Sequence, residues 1–171
     1  MVTAGVFMLV RISPLLQFSE IGSITIISLG LLTALISAFA AINQDDIKKV
    51  LAYSTISQLG FMFIAIGAGA YVAAIFHLVT HAFFKALLFL GAGAVIHEMH
   101  HEQNIYKMGG LRKKMPVTAA MMGIGTLAIS GIPPLAGFWS KDEILASVFS
   151  KGGIYYGFWA LSLLAALMTA F

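Results

Sequence analysis

The stretch Phe76-His-Leu-Val-Thr-His-Ala-Phe-Phe-Lys-Ala-Leu-Leu-Phe-Leu90 decides the fold class, because it places three ionisable side chains inside a long apolar run from Ala73 to Ile96. His77, His81 and Lys85 follow one another at intervals of four residues. In an α-helix this spacing advances about 6 Å and turns about 40°, so the three side chains lie on one face. The sequence therefore predicts a long apolar helix with a file of titratable groups along one side.

The composition indicates an integral membrane protein rather than a soluble domain. The 171 residues are 60% hydrophobic and 10% charged, and the mean hydropathy is +0.94. The chain has no cysteine, which excludes a disulfide framework, a thiolate metal site and an iron–sulfur cluster within it. The formal net charge of +3 comes with no long basic stripe, so nucleic acid is excluded as a partner.

The three ionisable groups on the apolar helix require an explanation, because charge near a bilayer centre costs roughly 2.5 kcal/mol or more. Intramembrane lysine and histidine normally face a protein interior or a water-filled path. Histidine accepts and releases protons near neutral pH, since its unperturbed pKa is about 6.5. The file is therefore predicted to pass protons; the alternative is that it only forms hydrogen bonds to neighbouring helices.

Apolar runs and polar connections divide the chain into membrane spans. A partial helix is predicted within residues 1–12, where the apolar run ends at Val10, before Arg11 and Pro14. Three complete spans follow at Ile21–Ile42, Val50–Ala68 and Val72–Ile96. Polar connections fall at residues 43–49 and 97–115. The apolar runs at both ends are shorter than the ~20 residues of a bilayer crossing, so a piece of a larger membrane protein is expected.

The last third of the chain predicts one broken transmembrane helix. Helical sequence from Pro116 to Ser130 runs into Ser130-Gly-Ile-Pro-Pro-Leu-Ala-Gly137, whose prolines and glycines oppose a regular helix interior. A helix is expected to restart within the segment that begins at Phe138, with Ser140 as its N-cap and Glu143 completing a capping box. Broken helices mark ion and substrate sites in transporters. The alternative is a surface loop between two helices.

The distribution of basic residues predicts the orientation of the spans. Connections 43–49 and 97–115 lie on one side and contain six lysines and arginines, whereas the opposite side has Arg11 and Lys151. Cytoplasmic loops carry an excess of basic residues, so both connections are predicted to be cytoplasmic.

Other polar residues on the predicted spans are interpreted as structural. Ser57, and Ser54 with Gln58, are expected to bond adjacent helices, and Thr80 is expected to bond back to a carbonyl of its own helix. The histidines of connection 97–115 are expected to be solvated rather than to bind a metal; these are His97, His100 and His101.

Four segments resemble the antiporter-like membrane subunits of respiratory complex I, NADH:quinone oxidoreductase. They are Asp46-Ile-Lys-Lys-Val-Leu-Ala-Tyr-Ser-Thr-Ile-Ser-Gln58, Phe76–Leu90, Lys107-Met-Gly-Gly-Leu-Arg112 and Gly137-Phe-Trp-Ser-Lys-Asp-Glu143. Subunits of multi-subunit sodium/proton antiporters share the His/Lys helix. A sodium/proton antiporter subunit and a non-transporting truncated remnant therefore remain as alternative functions.

The resemblance implies an all-α, polytopic transmembrane helical bundle with one proline-broken helix. That family has two inverted five-helix repeats, so residues 1–171 would form an antiporter-like transmembrane domain holding the partial helix 1–12 and the second repeat over about 20–171. The implied function is proton translocation across a bacterial inner membrane. The implied partners are other membrane subunits of complex I, the lipid bilayer and internal water. No cofactor is expected in this chain, because NADH, flavin, iron–sulfur clusters and quinone would belong to partner subunits.

The resemblance also implies roles for individual residues. His77, His81 and Lys85 would form a hydrated proton relay, and Lys141 would be the terminal residue that exchanges protons with the far side. Supporting roles are implied for three further residues: Asp142 as the carboxylate near Lys141, and Lys48 with Asp46 at the end of their helix.

Overall fold

The computed structural model describes residues 3–170, which form an all-α bundle without β-strands. The helices are α1 (Ala4–Arg11), α2 (Ser13–Leu16), α3 (Glu20–Ile42), α4 (Ile47–Gly67), α5 (Tyr71–Glu98), α6 (Pro116–Ser130), α7 (Ala136–Ser150) and α8 (Tyr155–Ala170). Two 3₁₀ turns, Ile105–Lys107 and Leu111–Lys113, lie between α5 and α6. The predicted fold class is confirmed; the first two residues of the predicted partial helix 1–12 lie outside the described part.

Three helices, α3, α4 and α5, are long and apolar enough to cross a membrane, whereas α6 and α8 are shorter apolar helices. The three predicted spans are therefore confirmed. Helix α4 begins at Ile47 rather than Val50, because the Asp46 carboxylate caps it by accepting the backbone N–H of Lys48 at 2.8 Å. Lys48 thus belongs to the first helical turn, and the polar connection before it is shorter than expected.

The predicted end of the first helix is wrong in detail. Arg11 is the last residue of α1, and Pro14 lies in the first turn of α2. A proline is compatible with a first turn, because its missing N–H has no intrahelical acceptor there.

Small residues allow α3 and α4 to approach each other closely. A Cβ atom added to Gly60 would lie 2.6 Å from the carbonyl oxygen of Gly30 and 2.7 Å from the backbone nitrogen of Ala34. Such positions allow two backbones to approach, as is common between transmembrane helices. The buried core extends from this contact to α5, α7 and α8 through Phe61, Ile64, Ala74, Ile144 and Ala165.

The two connections predicted to share one side meet at the same end of the bundle. The backbone N–H of Ile47 donates to the carbonyl of Gln103 at 3.1 Å, and that of Ile105 donates to the carbonyl of Asp45 at 2.8 Å. This contact agrees with alternating spans. The side of the membrane that this end faces remains a prediction.

The predicted interruption is present between α6 and α7, whereas their membership of one transmembrane span stays a prediction. Helix α6 ends at Ser130, Gly131 adopts a left-handed conformation with φ 79°, and Pro133 and Pro134 lie in the non-helical segment before Ala136. The restart comes two residues before Phe138, with Leu135 at the N-cap.

The assignment of Ser140 as the helix cap is wrong. Ser140 lies within α7 and is fully buried, whereas Glu143 is exposed. Gly137 explains why the helix can restart so early: a Cβ atom there would overlap the carbonyl oxygen of Ala128 on α6. Without that side chain, the first turn of α7 packs directly against the last turn of α6 and carries Ser140 into the interior.

Candidate proton-transfer site

Helix α5 presents its file of ionisable residues to the protein interior. His77 is 0% exposed, and His81 and Lys85 are each 4% exposed. The His77 and His81 ring centroids are 6.3 Å apart. The prediction that the three side chains line one interior face is confirmed. Helices α4, α6 and α7 pack around α5 and supply the groups that contact this face.

His77 is held between α4 and α7 by hydrogen bonds at both ring nitrogens. Its Nε2 lies 3.0 Å from Oε1 of Gln58, and its Nδ1 lies 2.8 Å from Oγ of Ser140. With the amide oxygen of Gln58 as the acceptor at this contact, Nε2 carries the hydrogen of the neutral ring and Nδ1 accepts from Ser140. Both partners are fully buried, and the amide nitrogen of Gln58 has no hydrogen-bond partner among the described residues.

His81 lies one turn further along the file and is contacted mainly by a ring. The Phe84 ring meets it edge-on, with centroids 5.5 Å apart. The buried Nε2 atom of His81 has no hydrogen-bond partner among the described residues. This nitrogen is accordingly a position where internal water would find a polar group to bond.

Lys85 ends the file and donates from Nζ to the backbone carbonyl of Leu51 on α4 at 3.2 Å. Within residues 3–170 the ion pair that forms is Lys107 with Glu102, in the connection between α5 and α6. Among the same residues, neither Lys85 nor Lys141 is paired with a carboxylate. Two buried ammonium groups therefore rely on carbonyl and hydroxyl oxygens.

Lys141 is placed by the break between α6 and α7. The last carbonyls of a helix have no intrahelical donor, and Lys141 Nζ donates to one of them, the carbonyl of Ile129 at the end of α6. It also donates to Oγ1 of Thr169 on α8 at 3.1 Å, and it lies 5.8 Å from the centroid of the Phe61 ring. The lysine is 5% exposed, so the break supplies both its acceptor and its buried position.

The supporting residues lie apart from this buried cluster. Asp142 is exposed and forms no ion pair with Lys141 among residues 3–170, although both border a cavity of about 170 Å³ beside the break. Lys48 is exposed, and Asp46 caps α4. The roles implied for these three residues remain predictions.

Sequence reasoning missed Gln58 and Ser140 as contacts of His77. Gln58 was interpreted as a packing residue and Ser140 as a cap, because each was considered on its own helix. Two features of the sequence could have indicated these contacts. Gln58 places an amide in an apolar span, and Ser140 directly precedes Lys141. Thr80 does bond back to its own helix, donating to the carbonyl of His77 at 3.1 Å, and it also lies 3.3 Å from Ser140 Oγ.

Two of the loop histidines lie close together at the end of α5. The His97 and His101 rings are 6.3 Å apart, but within residues 3–170 no three histidine, aspartate or glutamate side chains converge on a metal-sized site.

The bundle, its helix break and its buried file of histidine and lysine define an antiporter-like membrane subunit. The chain belongs to the family described as NADH:quinone oxidoreductase/Mrp antiporter, transmembrane, whose model matches residues 1–169.

Two relatives and one solved structure illustrate this membership. The chain is 56% identical to NADH-quinone oxidoreductase subunit L of Rickettsia bellii over 99% of its length, and 50% identical to subunit L of Rhodobacter capsulatus over 100%. It spans about a quarter of those relatives, 26% and 25% respectively. It also superposes on part of the membrane-bound sulfane sulfur reductase, an archaeal respiratory membrane complex, with a TM-score of 0.78, 30% identity, and coverage of 86% of this chain and 30% of that chain.

Proposed function

We propose that this chain conducts protons across an energy-transducing membrane as part of an NADH:quinone oxidoreductase, complex I. The observation that carries the proposal is the burial of two imidazole and two ammonium groups, none paired with a carboxylate among residues 3–170. An isolated charge in such an interior is costly. Histidine and lysine become neutral when they release a proton, so they are suited to binding protons transiently. The similarity to quinone oxidoreductase subunit L supports the choice of complex.

The proposed path uses the file on α5 and the lysine at the break. His77, His81 and Lys85 bind protons in turn, with internal water between stations, and Lys141 exchanges protons with the far side. The unpartnered Nε2 of His81 supports a place for water in this path. The carbonyl and hydroxyl partners of Lys141 support its role, because they can accept from the ammonium without holding it permanently charged.

The proposal includes a position within the larger assembly. Residues 20–171 correspond to the second inverted repeat and 1–12 to the end of a preceding helix, in a bacterial inner membrane with connections 43–49 and 97–115 on the cytoplasmic side. NADH, flavin, iron–sulfur clusters and quinone belong to partner subunits. Electron transfer takes place there, and this chain supplies the proton path.

The test is proton flux in proteoliposomes that contain the intact parent complex. His81→Ala and Lys85→Ala each remove a proton-binding station and are expected to lower flux at matched protein content. His97→Ala and Lys113→Ala change exposed residues of the same types and are expected to leave flux unchanged. Wild-type flux in both buried-site variants would show that the file is structural.

Sodium/proton antiport is a second candidate, because the matching family description includes Mrp antiporters. The two candidates are separated by the driving gradient. A sodium gradient imposed on the same proteoliposomes, without NADH, moves protons only if the second candidate is correct.

A further inference from the structure

The hydrogen bonds around His77 form a directed chain across three helices. The chain begins at the Thr80 hydroxyl, whose one hydrogen can be donated either to the His77 carbonyl at 3.1 Å or to Ser140 Oγ at 3.3 Å. Ser140 Oγ lies 2.8 Å from Nδ1 of His77, and Nε2 of His77 lies 3.0 Å from the Gln58 oxygen. His77, Ser140 and Gln58 are each 0% exposed, and Thr80 is 8% exposed. The chain thus has one sealed end at Gln58 and one end near a surface at Thr80.

The sealed end determines which nitrogen of His77 can exchange a proton. Oε1 of Gln58 accepts the Nε2 hydrogen whether the ring is neutral or charged, because both forms carry a hydrogen on that nitrogen. A proton added to the neutral ring must therefore go to Nδ1. The group in contact with Nδ1 is the Ser140 hydroxyl.

The open end reaches a cavity beside the helix break. Thr80 borders a cavity of about 480 Å³ between α5, α6 and the start of α7, and it is the polar residue among apolar neighbours such as Phe83, Leu87 and Ile124. A water molecule entering there has the Thr80 hydroxyl as a partner. The hydroxyl oxygen can accept from water when its hydrogen turns from the His77 carbonyl to Ser140 Oγ.

We propose that His77 gains and loses its relay proton at Nδ1 through the hydroxyl groups of Ser140 and Thr80, which act as proton carriers between the ring and water. This inference rests on the proposed function. In the uptake direction hydronium gives a proton to Thr80 Oγ1, the Thr80 hydrogen moves to Ser140 Oγ, and the Ser140 hydrogen moves to Nδ1. Each oxygen loses one hydrogen and gains one, so both hydroxyls are restored and His77 becomes imidazolium.

The structure provides an acceptor for the Ser140 hydrogen after the transfer. Once Nδ1 carries a hydrogen, it donates to Ser140 Oγ, and the serine hydrogen needs another partner. The carbonyl of Gly137 lies 3.4 Å from Oγ, one turn back on α7. Rotation of one hydroxyl therefore accommodates both charge states, while Ser140 remains in contact with the ring.

The experiment measures proton flux of the parent complex in proteoliposomes for Ser140→Ala, Thr80→Val, Thr80→Ser and His77→Ala, with assembly and electron transfer measured alongside. The control is Ser162→Ala, which removes another fully buried serine hydroxyl whose bond stays within its own helix. Ser140→Ala and Thr80→Val are expected to lower flux toward the His77→Ala level. Thr80→Ser, which keeps the hydroxyl, is expected to restore it, and Ser162→Ala to match the wild type.

A double mutant separates proton transfer from packing. If Ser140 acts through His77, adding Ser140→Ala to His77→Ala causes no further loss of flux, whereas independent packing defects would add. Wild-type flux in Ser140→Ala or in Thr80→Val overturns the inference when His77→Ala is impaired, and so does an additive double mutant. Wild-type flux in His77→Ala overturns the role of His77 itself, and with it that part of the proposed function.

Discussion

Gly137 tests how the helix break positions the buried groups of α7. It occupies the first turn of α7, and a Cβ atom there would overlap the Ala128 carbonyl oxygen and lie 2.9 Å from the carbonyl carbon. Both atoms belong to backbone, which cannot rotate away as a flexible side chain would. Gly137→Ala must therefore push the start of α7 from α6, and Ser140 and Lys141 move with it.

The magnitude follows from two opposing terms. Inserting a methyl group into a packed interior costs about 1–3 kcal/mol, and a clash with backbone belongs at the upper end of that range. Alanine regains up to about 1 kcal/mol over glycine through helix propensity. The net effect is a loss of about 2 kcal/mol in the free energy of unfolding.

The assay is chemical unfolding of the full-length subunit in detergent, followed by proton flux of the assembled complex. The control is Gly123→Ala on α6, where an added Cβ meets no atom within 4 Å and stability is expected to stay equal or rise. Gly137→Ala is expected to lower both stability and flux. Equal stability of the two variants would refute the close packing of α6 against α7 and the positioning argument built on it.

Two further predictions concern the end of the bundle where the connections meet. Asp46→Ala removes the cap of α4 and should lower the free energy of unfolding by about 1 kcal/mol, whereas Asp45→Ala, which leaves the cap in place, should have a smaller effect; equal losses in chemical unfolding would refute the capping role. The backbone N–H of Asn104, and then the Lys107 ammonium, hold the pKa of Glu102 below its usual value. The ionised Glu102 side chain therefore stabilises the connection at pH values above its unfolded-state pKa. This stabilisation is lost as the pH falls through the lowered folded-state pKa. Limited proteolysis of the connection should therefore accelerate in acid for the wild type but not for Glu102→Gln, and identical pH profiles would contradict this.

The main features of the fold follow from local sequence signals. A spacing of four residues determines the shared face of His77, His81 and Lys85, since helix geometry alone relates them. Two consecutive prolines between glycines end one helix wherever they occur. These signals depend on neighbours within a turn or two, so the apolar spans, the interior file and the break were predictable.

The contacts of the site depend on how different helices approach one another. Ser140 is separated from His77 by 63 positions, and their hydrogen bond depends on how α7 packs against α5. Serine is favoured at helix N-caps over helix interiors, so its local preference indicated a cap and the serine was misassigned. Likewise, the donation from Lys141 to Ile129 depends on a carbonyl freed by the break, which no periodicity in α7 could indicate.

The most direct test of the central claim is to measure the number of protons translocated per electron in vesicles that contain the parent complex. The measurement is made for two variants of Lys141. Lys141→Met removes the titratable group at similar length, and Lys141→Arg keeps a charge that does not leave. The account predicts that both variants assemble, transfer electrons and move fewer protons per electron than the wild type. An arginine variant with the wild-type ratio would show that Lys141 is a fixed charge, and would contradict its assignment as a proton-exchanging residue.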